Sequence, residues 1–205
     1  MARPEPRAFR EMFDTIEILD CVDSTNEHLK AFIAGGVSRM VVAGEQTAGK
    51  GQHGRVWHSP PGAGLYVSYL YFPDWELGRS GVLNQASSLA VADSIRHFDS
   101  TAEVRLKQPN DVLVGGRKVC GILAELGSTG EHVNWAIIGI GVNLYRRSFP
   151  SELEGSATSL ERERIGVNHP LDFCHELTVR LVHNLERAAS PTWRELETRY
   201  LREIR

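Results

Sequence analysis

The feature that most constrains the fold is a glycine-rich segment, Gly44–Ser59, which reads GEQTAGKGQHGRVWHS. Three of its four glycines, Gly49, Gly51 and Gly54, stand two and three residues apart. A plain surface turn needs one or two glycines, because only a few turn positions require a positive φ. The spacing therefore predicts an irregular loop whose backbone something approaches closely.

The cations of this segment indicate what could approach it. Exposed backbone N–H groups together with Lys50 and Arg55 can neutralise phosphate oxygens, and the guanidinium can bind them in a bidentate manner. The segment is not a Walker A loop, because Gly-x-x-x-x-Gly-Lys-Ser/Thr is absent, and it lacks the glycine spacing and following helix of a dinucleotide-binding fold. Composition alone leaves two interpretations open: an anion-binding loop and a flexible polar surface loop.

Composition indicates the class of protein. The chain has 205 residues, 41% of them hydrophobic, which is enough for one or two compact domains. A formal net charge of −3 is unlike the basic balance of most DNA-binding proteins, and no apolar run approaches the roughly 20 residues that span a membrane. The three cysteines are an odd number without metal-ligand spacing, which predicts free thiols in a reducing cytoplasm.

Hydrophobic periodicity predicts a mixed α+β domain rather than a regular βαβ alternation. Residues 1–14 are interpreted as an N-terminal lead-in and 15–205 as one catalytic domain. The predicted strands are Ile16–Cys21, Met40–Ala43, Leu65–Phe72, Glu103–Lys107, Val112–Val114, Arg117–Leu126 and Val133–Leu144. The predicted helices are a short one from the Asp23–Asn26 region to Ile33, Ser80–Phe98, and the chain from Pro170 onward, which carries two apolar stripes.

Three further motifs are ambiguous when each is taken alone. KQPND (Lys107–Asp111) follows a predicted strand and is typical of a turn with a capping aspartate. GRKVCG (Gly116–Gly121) follows a predicted two-glycine hairpin turn, and its lysine is typical of a solvated strand edge. GIGVN (Gly139–Asn143) ends a buried strand, where glycines mark a bulge or a close backbone approach. The histidines show no spacing that predicts a metal site.

The order and spacing of these stretches are more specific than any one of them. VDSTNEHLK, the glycine-rich segment, LKQPNDVLVGGRKVCGILAEL and IIGIGVNL follow one another as in the catalytic domain of biotin–protein ligases, which the chain resembles over residues 16–160. The resemblance implies a mixed sheet flanked by helices, related to the class II aminoacyl-tRNA synthetases. It also implies a two-step reaction in which biotin and ATP form biotinyl-5'-AMP, and biotin then passes to a lysine of a biotin carboxyl carrier domain.

The resemblance also implies which residues bind biotin and its adenylate. Ser24, Thr25 and Asn26 match the family's biotin-binding triplet, whose hydroxyl and amide groups suit a ureido head. The same residues could instead cap the helix that follows. Gln46 matches a further contact to that head. The remaining expected contacts to biotin or the nucleotide are Gly49, Lys50, Gly51, Gln52, Arg55, Trp57, Asn110, Lys118, Gly121 and Asn143.

Two residues are expected to take part in the chemistry. Lys118 matches the lysine that contacts the carboxyl end of biotin and the reacting phosphate, where cations offset the repulsion between a carboxylate and a polyphosphate. Asp111, with Asn110, matches the family's nucleotide and Mg²⁺ region. Asp111 is also the candidate for orienting or deprotonating the acceptor lysine, since a free lysine with a pKa of ~10.4 is almost fully charged near neutrality.

The sequence also departs from the family pattern. Lys50 and Gln52 stand where many relatives have arginines, and Gln108 stands where tryptophan is usual. Lysine keeps the charge but loses the bidentate fork, so we expect weaker retention of the adenylate. No helix-turn-helix segment precedes the domain, and the chain stops at Arg205, where many relatives continue into a small β-barrel. The expectation is a monofunctional ligase that does not bind DNA and forms a homodimer like related stand-alone enzymes. The missing barrel leaves open a minimal ligase, a truncated form and a protein with weakened transfer.

Two other functions stay open. A lipoate–protein ligase or octanoyltransferase shares the fold, and a transferase would need a reactive cysteine, for which Cys120 stands two residues from Lys118. Residues two apart on a regular strand face the same side of the sheet. A relative that only binds biotin or a carrier domain is the non-enzymatic alternative, and the presence of Lys118, Asn110 and Asp111 favours the ligase.

Overall fold

The computed structural model describes residues 13–73 and 75–204. Residues 1–12 of the predicted lead-in lie outside this part. Phe13, near the end of the lead-in, is buried and packs against Tyr69, with the two ring centroids 5.3 Å apart. Among the described residues, no helix combines the length and the apolar character needed to cross a lipid bilayer.

One sheet of eight strands forms the centre of the fold. The strands are β1 Thr15–Leu19, β2 Arg39–Ala43, β3 Gly64–Tyr71, β4 Trp75–Glu76, β5 Val104–Lys107, β6 Asp111–Val114, β7 Arg117–Thr129 and β8 His132–Asn143. Their order is β1-β2-β3-β8-β7-β6-β5, and β4 pairs with β8. β1 and β2 pair in parallel, whereas the other pairings are antiparallel.

Four α-helices flank the sheet in the described part of the chain. They are α1 Thr25–Lys30, α2 Gly81–Phe98, α3 Pro170–Ala189 and α4 Trp193–Glu203. The two apolar stripes predicted after Pro170 belong to separate helices, with Leu181 buried on α3 and Leu196 buried on α4. The predicted mixed sheet flanked by helices is confirmed.

Side-chain alternation along the strands separates the two faces of the sheet. One face, which includes Met40 and Ile138, packs against buried residues of α2, α3 and α4 in the main core. The opposite face, which we call the open face, carries a smaller apolar cluster in which Leu29 of α1 packs with Leu70 and Ile137. Of the four described α-helices, α1 is the one that packs in this cluster, so the open face has less helical cover than the core face.

The predicted elements differ from the observed ones mainly at their ends. β1 ends at Leu19 rather than at Cys21, and β7 continues to Thr129. Gly115 and Gly116 have φ values of 55° and 77°, as two-residue hairpin turns with two positive φ angles require. The predicted hairpin on two glycines is therefore confirmed.

Candidate functional site

A cavity of about 730 Å³ lies on the open face of the sheet, between the glycine-rich loop and strands β6, β7 and β8. Its volume is typical of a small-molecule site. Alternation along β8 directs Gly139, Gly141 and Asn143 toward it, while Ile140 and Val142 between them belong to the main core. Every site residue expected from the sequence lines this cavity except Gly49.

The glycine-rich segment forms a narrow loop beside the cavity. The Gly51 N–H donates to the Arg55 carbonyl oxygen at 2.7 Å, and the Trp57 N–H donates to the Gly49 carbonyl oxygen at 2.9 Å. A Cβ atom on Gly49 would stand 2.9 Å from Ser59 Oγ, closer than real Cβ atoms come to other atoms. The close approach expected from the glycines is found at Gly49, and the approaching atoms belong to the loop itself.

Neutral polar side chains bond to one another at one end of the cavity. Gln46 Oε1 accepts hydrogen bonds from the Thr25 backbone N–H at 2.9 Å and from the Thr25 hydroxyl at 3.0 Å. Gln46 Nε2 donates to Ser59 Oγ at 2.8 Å. Ser24 is buried and precedes α1, but its side chain makes no capping hydrogen bond to that helix. The capping alternative therefore does not account for Ser24.

Asn26 is held in one orientation by three partners. Its Nδ2 atom donates to Glu125 Oε2 at 2.8 Å and to the Leu123 carbonyl oxygen at 3.3 Å. Ser68 Oγ lies 2.6 Å from Asn26 Oδ1 and 2.7 Å from Thr25 Oγ1. One hydroxyl proton can serve only one of these two oxygens at a time, so the pair keeps capacity to accept a hydrogen bond from a ligand.

Ser68 and Glu125 are site residues that the sequence analysis missed. Ser68 was visible as the one small polar residue in the stretch LYVSYLYF, which otherwise consists of aliphatic and aromatic residues. Glu125 stands four positions after Gly121 on β7. Because side chains alternate between the two faces of a strand, both positions lie on the open face. Neither signal identifies a site residue until the neighbouring strands are known.

Lys118 and Asp111 form an ion pair at the other end of the cavity. Lys118 Nζ lies 2.6 Å from Asp111 Oδ1, and the two side chains are only 32% and 18% exposed. The same ammonium nitrogen lies 5.3 Å from the centroid of the Trp57 ring, within the range of a cation–π contact. Lys118 is therefore a wall of the cavity and not the solvated edge lysine that its motif alone suggested.

Trp57 fits against two glycines of the sheet. A Cβ atom on Gly141 would overlap the indole nitrogen, and one on Gly121 would stand 3.0 Å from Trp57 Cζ3. The indole Nε1 is buried, and none of the described residues accepts its hydrogen. A buried donor without a partner costs free energy, and the expected contact of Trp57 with a ligand stays a prediction.

Asn110 and Asn143 line the cavity but also brace the sheet. Asn110 Nδ2 donates to the Ile122 carbonyl oxygen at 2.6 Å, and Asn143 Nδ2 donates to the Thr158 carbonyl oxygen at 3.0 Å. These bonds connect β6 to β7 and β8 to the segment that follows it. Gln108, where tryptophan was expected, is exposed and lines the cavity. The contact of Asn110 and Asn143 with a nucleotide stays a prediction.

The two cations of the glycine-rich loop have different surroundings. Lys50 Nζ lies 2.7 Å from Glu27 Oε1 of α1, and the Lys50 side chain is 51% exposed. Arg55 is exposed at the end of the loop. Both residues were expected to offset ligand charge, but the Glu27 carboxylate already faces Lys50.

The cavity is electropositive within a chain of net charge −3. Among the described residues that line it, one side chain, Asp111, is acidic and five are cationic: Lys50, Arg55, Lys107, Lys118 and Arg146. Such a lining favours a polyanion. Within residues 13–73 and 75–204, no group of three His, Cys, Asp or Glu side chains is placed to hold a metal ion. A Mg²⁺ ion at this cavity would therefore take most of its ligands from substrate phosphates and water.

Cys120 does not face the cavity with Lys118, so the expectation from regular alternation was wrong. Cys120 pairs with Val112, but Lys118 pairs with Leu113, which leaves Val119 as the extra residue of a β-bulge. The bulge keeps Lys118 on the open face and puts Cys120 in the main core, where burial raises the pKa of its thiol far above the usual range. A buried neutral thiol is not a nucleophile.

Comparison with known proteins agrees with this geometry. Residues 18–143 match the biotin/lipoate A/B protein ligase family. The bifunctional ligase/repressor BirA of Bacillus spizizenii is 38% identical over 149 residues, which cover 69% of this chain and 46% of that protein. The biotin–[acetyl-CoA-carboxylase] ligase of Mycobacterium tuberculosis is 33% identical over 192 residues, which cover 91% of this chain and 64% of that protein.

A solved structure extends the similarity to the fold. The biotin protein ligase from Aquifex aeolicus, in complex with biotin and ATP, aligns with a TM-score of 0.78 at 30% identity, over 92% of this chain and 77% of that chain. The present chain spans less than half of the length of the Bacillus relative. Since the family match covers more than half of the 205 residues, the chain belongs to the biotin/lipoate A/B protein ligase family.

Proposed function

We propose that this chain activates biotin with ATP to biotinyl-5'-AMP and then transfers biotin to a lysine of a biotin carboxyl carrier domain. The observation that carries the proposal is the polarity of a single cavity. At one end the cavity is lined by the uncharged hydrogen-bonding side chains of Ser24, Thr25, Asn26 and Gln46, and at the other end lies the Lys118–Asp111 pair. The two ends match a neutral ureido head and a charged phosphate.

The neutral end favours biotin over a fatty or lipoyl acid. A ureido group offers two N–H donors and one carbonyl acceptor, and Asn26 Oδ1, Thr25 Oγ1 and the buried Ser24 hydroxyl are complementary to it. An alkyl chain in the same place would exclude water and offer no donor, so the accepting capacity that the shared Ser68 hydroxyl leaves on Asn26 Oδ1 and Thr25 Oγ1 would stay unmet. Each unpaired group costs roughly 1–3 kcal/mol, which is enough to discriminate between the two acids.

In the first step a carboxylate oxygen of biotin attacks the α-phosphorus of ATP. The new O–P bond forms as the bond to the β-phosphate oxygen breaks, and pyrophosphate leaves. The nucleophile is already an anion, so the step needs no general base. Lys118 and the other cations offset the repulsion between the two anions and orient them. Mg²⁺, arriving with the nucleotide, would neutralise phosphate charge near Asp111.

In the second step the neutral amine of the acceptor lysine attacks the carbonyl carbon of the mixed anhydride. An amide bond forms, and AMP leaves with the electrons of the C–O bond. The acceptor ammonium gives one proton to solvent to become the neutral amine, and the amine loses a second proton as the amide forms. We assign Asp111 the role of orienting the amine and accepting that second proton. Asp111 fits this role because it is the carboxylate that faces the cavity among the described residues.

The remaining parts of the proposal concern partners and location. The acceptor is a carrier domain that presents one exposed lysine. We place the protein in the cytoplasm, a reducing compartment, because its three cysteines are free thiols in this structure. We also propose a homodimer. β1 is an edge strand whose Ile18 is 57% exposed, so a second copy of the chain could pack against this edge.

Exchange of labelled pyrophosphate into ATP tests the first step. We expect exchange with biotin, and none with lipoate or octanoate, because only biotin pairs the polar groups around Asn26. The assay uses purified protein with Mg²⁺ and each acid in turn. Exchange that depends on lipoate would move the chain to the lipoate branch of the family. A lack of exchange with all three acids would contradict the proposed function.

Replacing Cys120 with alanine tests the thiol alternative. We expect C120A to keep biotin-dependent exchange and transfer within about twofold of wild type, because the thiol is buried in the core and away from the cavity. The lost packing should lower the free energy of unfolding by about 1 kcal/mol. Urea denaturation checks the stability, and loss of transfer in a folded C120A protein would support an acyl–thiol intermediate.

A further inference from the structure

Four alternating charges connect the glycine-rich loop to Asn26. Lys50 Nζ lies 2.7 Å from Glu27 Oε1, and Lys30 Nζ lies 2.7 Å from the same oxygen. Lys30 Nζ also lies 2.7 Å from Glu125 Oε1, and the other oxygen of Glu125 accepts the hydrogen bond from Asn26. We call Lys50, Glu27, Lys30 and Glu125 the charge chain. Of these four residues, only Lys50 lines the cavity.

Glu27 is the branch point of the charge chain. Hydrogen bonds from Lys30 and Lys50 hold the pKa of its carboxyl group below the usual value. If Glu27 is neutralised, Lys30 keeps its partner Glu125, and Asn26 keeps its bond to Glu125. The connection between the loop and α1 can therefore be tested without disturbing the orientation of Asn26.

Two roles of Lys50 predict opposite effects of Glu27. If Lys50 binds the phosphate of the adenylate, Glu27 competes for it, and neutralising Glu27 strengthens the hold on the adenylate. If Lys50 tethers the loop, Glu27 is the other half of the tether, and neutralising it weakens that hold. The 2.7 Å separation favours the tether, because moving Lys50 to a phosphate would break a formed charge-assisted bond.

Building on the proposed function, we propose that Glu27 is a positioning residue that tethers the glycine-rich loop to α1 through Lys50. The tether, rather than a contact between Lys50 and the phosphate, then slows the release of biotinyl-5'-AMP. Arg55, exposed at the end of the loop, is the loop cation left for the phosphate. If Lys50 binds Glu27 and Arg55 binds the phosphate, position 50 does not need the bidentate fork of an arginine. The point charge of a lysine is sufficient to bind one carboxylate oxygen.

The lifetime of bound biotinyl-5'-AMP separates the two roles. We expect E27Q and K50M each to shorten the lifetime about two- to fivefold, the range for a partly exposed ion pair. The double variant should be no shorter-lived than either single variant, because both remove the same interaction. E45Q removes a charge at the border of the loop and should leave the lifetime unchanged. A longer lifetime in E27Q, or additive losses in the double variant, would overturn the tether.

Limited proteolysis gives a readout that needs no catalysis. Trypsin is added to the protein without substrates, and the fragment that ends at Arg55 is followed by mass spectrometry. E27Q and K50M should release it about two- to fivefold faster than wild type and E45Q. Unchanged cleavage in both variants would refute the tether even if wild type forms the adenylate. Faster cleavage in a protein that forms no adenylate would instead refute the proposed function and leave the tether of the loop in place.

Discussion

Replacing Lys118 with methionine is expected to slow biotin-dependent pyrophosphate exchange by at least about 100-fold, the usual effect of removing one preorganised charge from a site of this kind. Lys118 Nζ lies 2.6 Å from Asp111 Oδ1 in a mostly buried pair. In the proposed function the substitution removes the cation assigned to the reacting groups, and it also leaves the Asp111 carboxylate, which would repel both biotin and ATP. The effect should fall on kcat, because the charge matters most while the phosphate is being attacked.

A matched control shows that the loss is local to the cavity. Arg105 is an exposed cation on β5 and does not line the cavity, so R105M should exchange pyrophosphate at the wild-type rate. K118R should recover part of the activity, since the charge is kept while the shape changes. Thermal unfolding of all three proteins verifies folding. Exchange by folded K118M within threefold of wild type would remove Lys118 from the first step.

Replacing Gly139 with alanine is expected to weaken biotin binding by roughly 100-fold. A Cβ atom on Gly139 would overlap Asn26 Oδ1 and stand 3.0 Å from Asn26 Cγ. The Asn26 amide cannot simply turn away, because Ser68, Glu125 and Leu123 hold it. Overpacking costs about 1–3 kcal/mol and a broken buried hydrogen bond costs a similar amount, and each 1.4 kcal/mol is tenfold in affinity.

Two further variants distinguish this steric effect from a loss of fold. Gly166 has open space where a Cβ atom would be placed, so G166A should bind biotin like wild type. In an N26A background the added methyl group meets no amide, and G139A should then cost little beyond the loss already caused by N26A. Isothermal titration with biotin measures each affinity. Equal affinities for G139A and wild type would show that Asn26 does not form the biotin end.

Much of the fold could be predicted from the sequence because local patterns determine it. The alternation of Val104 and Leu106 with charged residues, and the glycine pair before Arg117, identify β5 and the β6–β7 hairpin without tertiary information. Asp111 and Lys118 stand on either side of that hairpin turn, so the predicted hairpin already puts them on neighbouring strands, and Lys118 Nζ lies 2.6 Å from Asp111 Oδ1. The resemblance was needed to join this pair to Ser24–Asn26 and the glycine-rich loop, because periodicity alone cannot join motifs that are far apart in sequence.

Other parts of the site depend on contacts that no local pattern records. The partner of Lys50 is Glu27, which stands 23 positions earlier on α1, and an isolated loop sequence gives no sign of it. The face of Cys120 depends on a single extra residue, Val119, in the pairing of β7 with β6. A bulge is a property of two paired strands, so alternation counted along one strand assigns the wrong face.

The glycines of β8 connect the stability of the sheet to its use. β8 lies between β3 and β7 near the middle of the sheet, where glycine costs about 0.5–1 kcal/mol relative to alanine. At Gly139 and Gly141 the fold gives up that stability, since any larger residue would displace Asn26 or Trp57. If selection acted only on the stability of the sheet, larger residues would replace these glycines and the cavity would be lost. The chain therefore maintains a trade-off between stability and activity in its central strand, and a bound ligand returns stability to the whole domain by mass action.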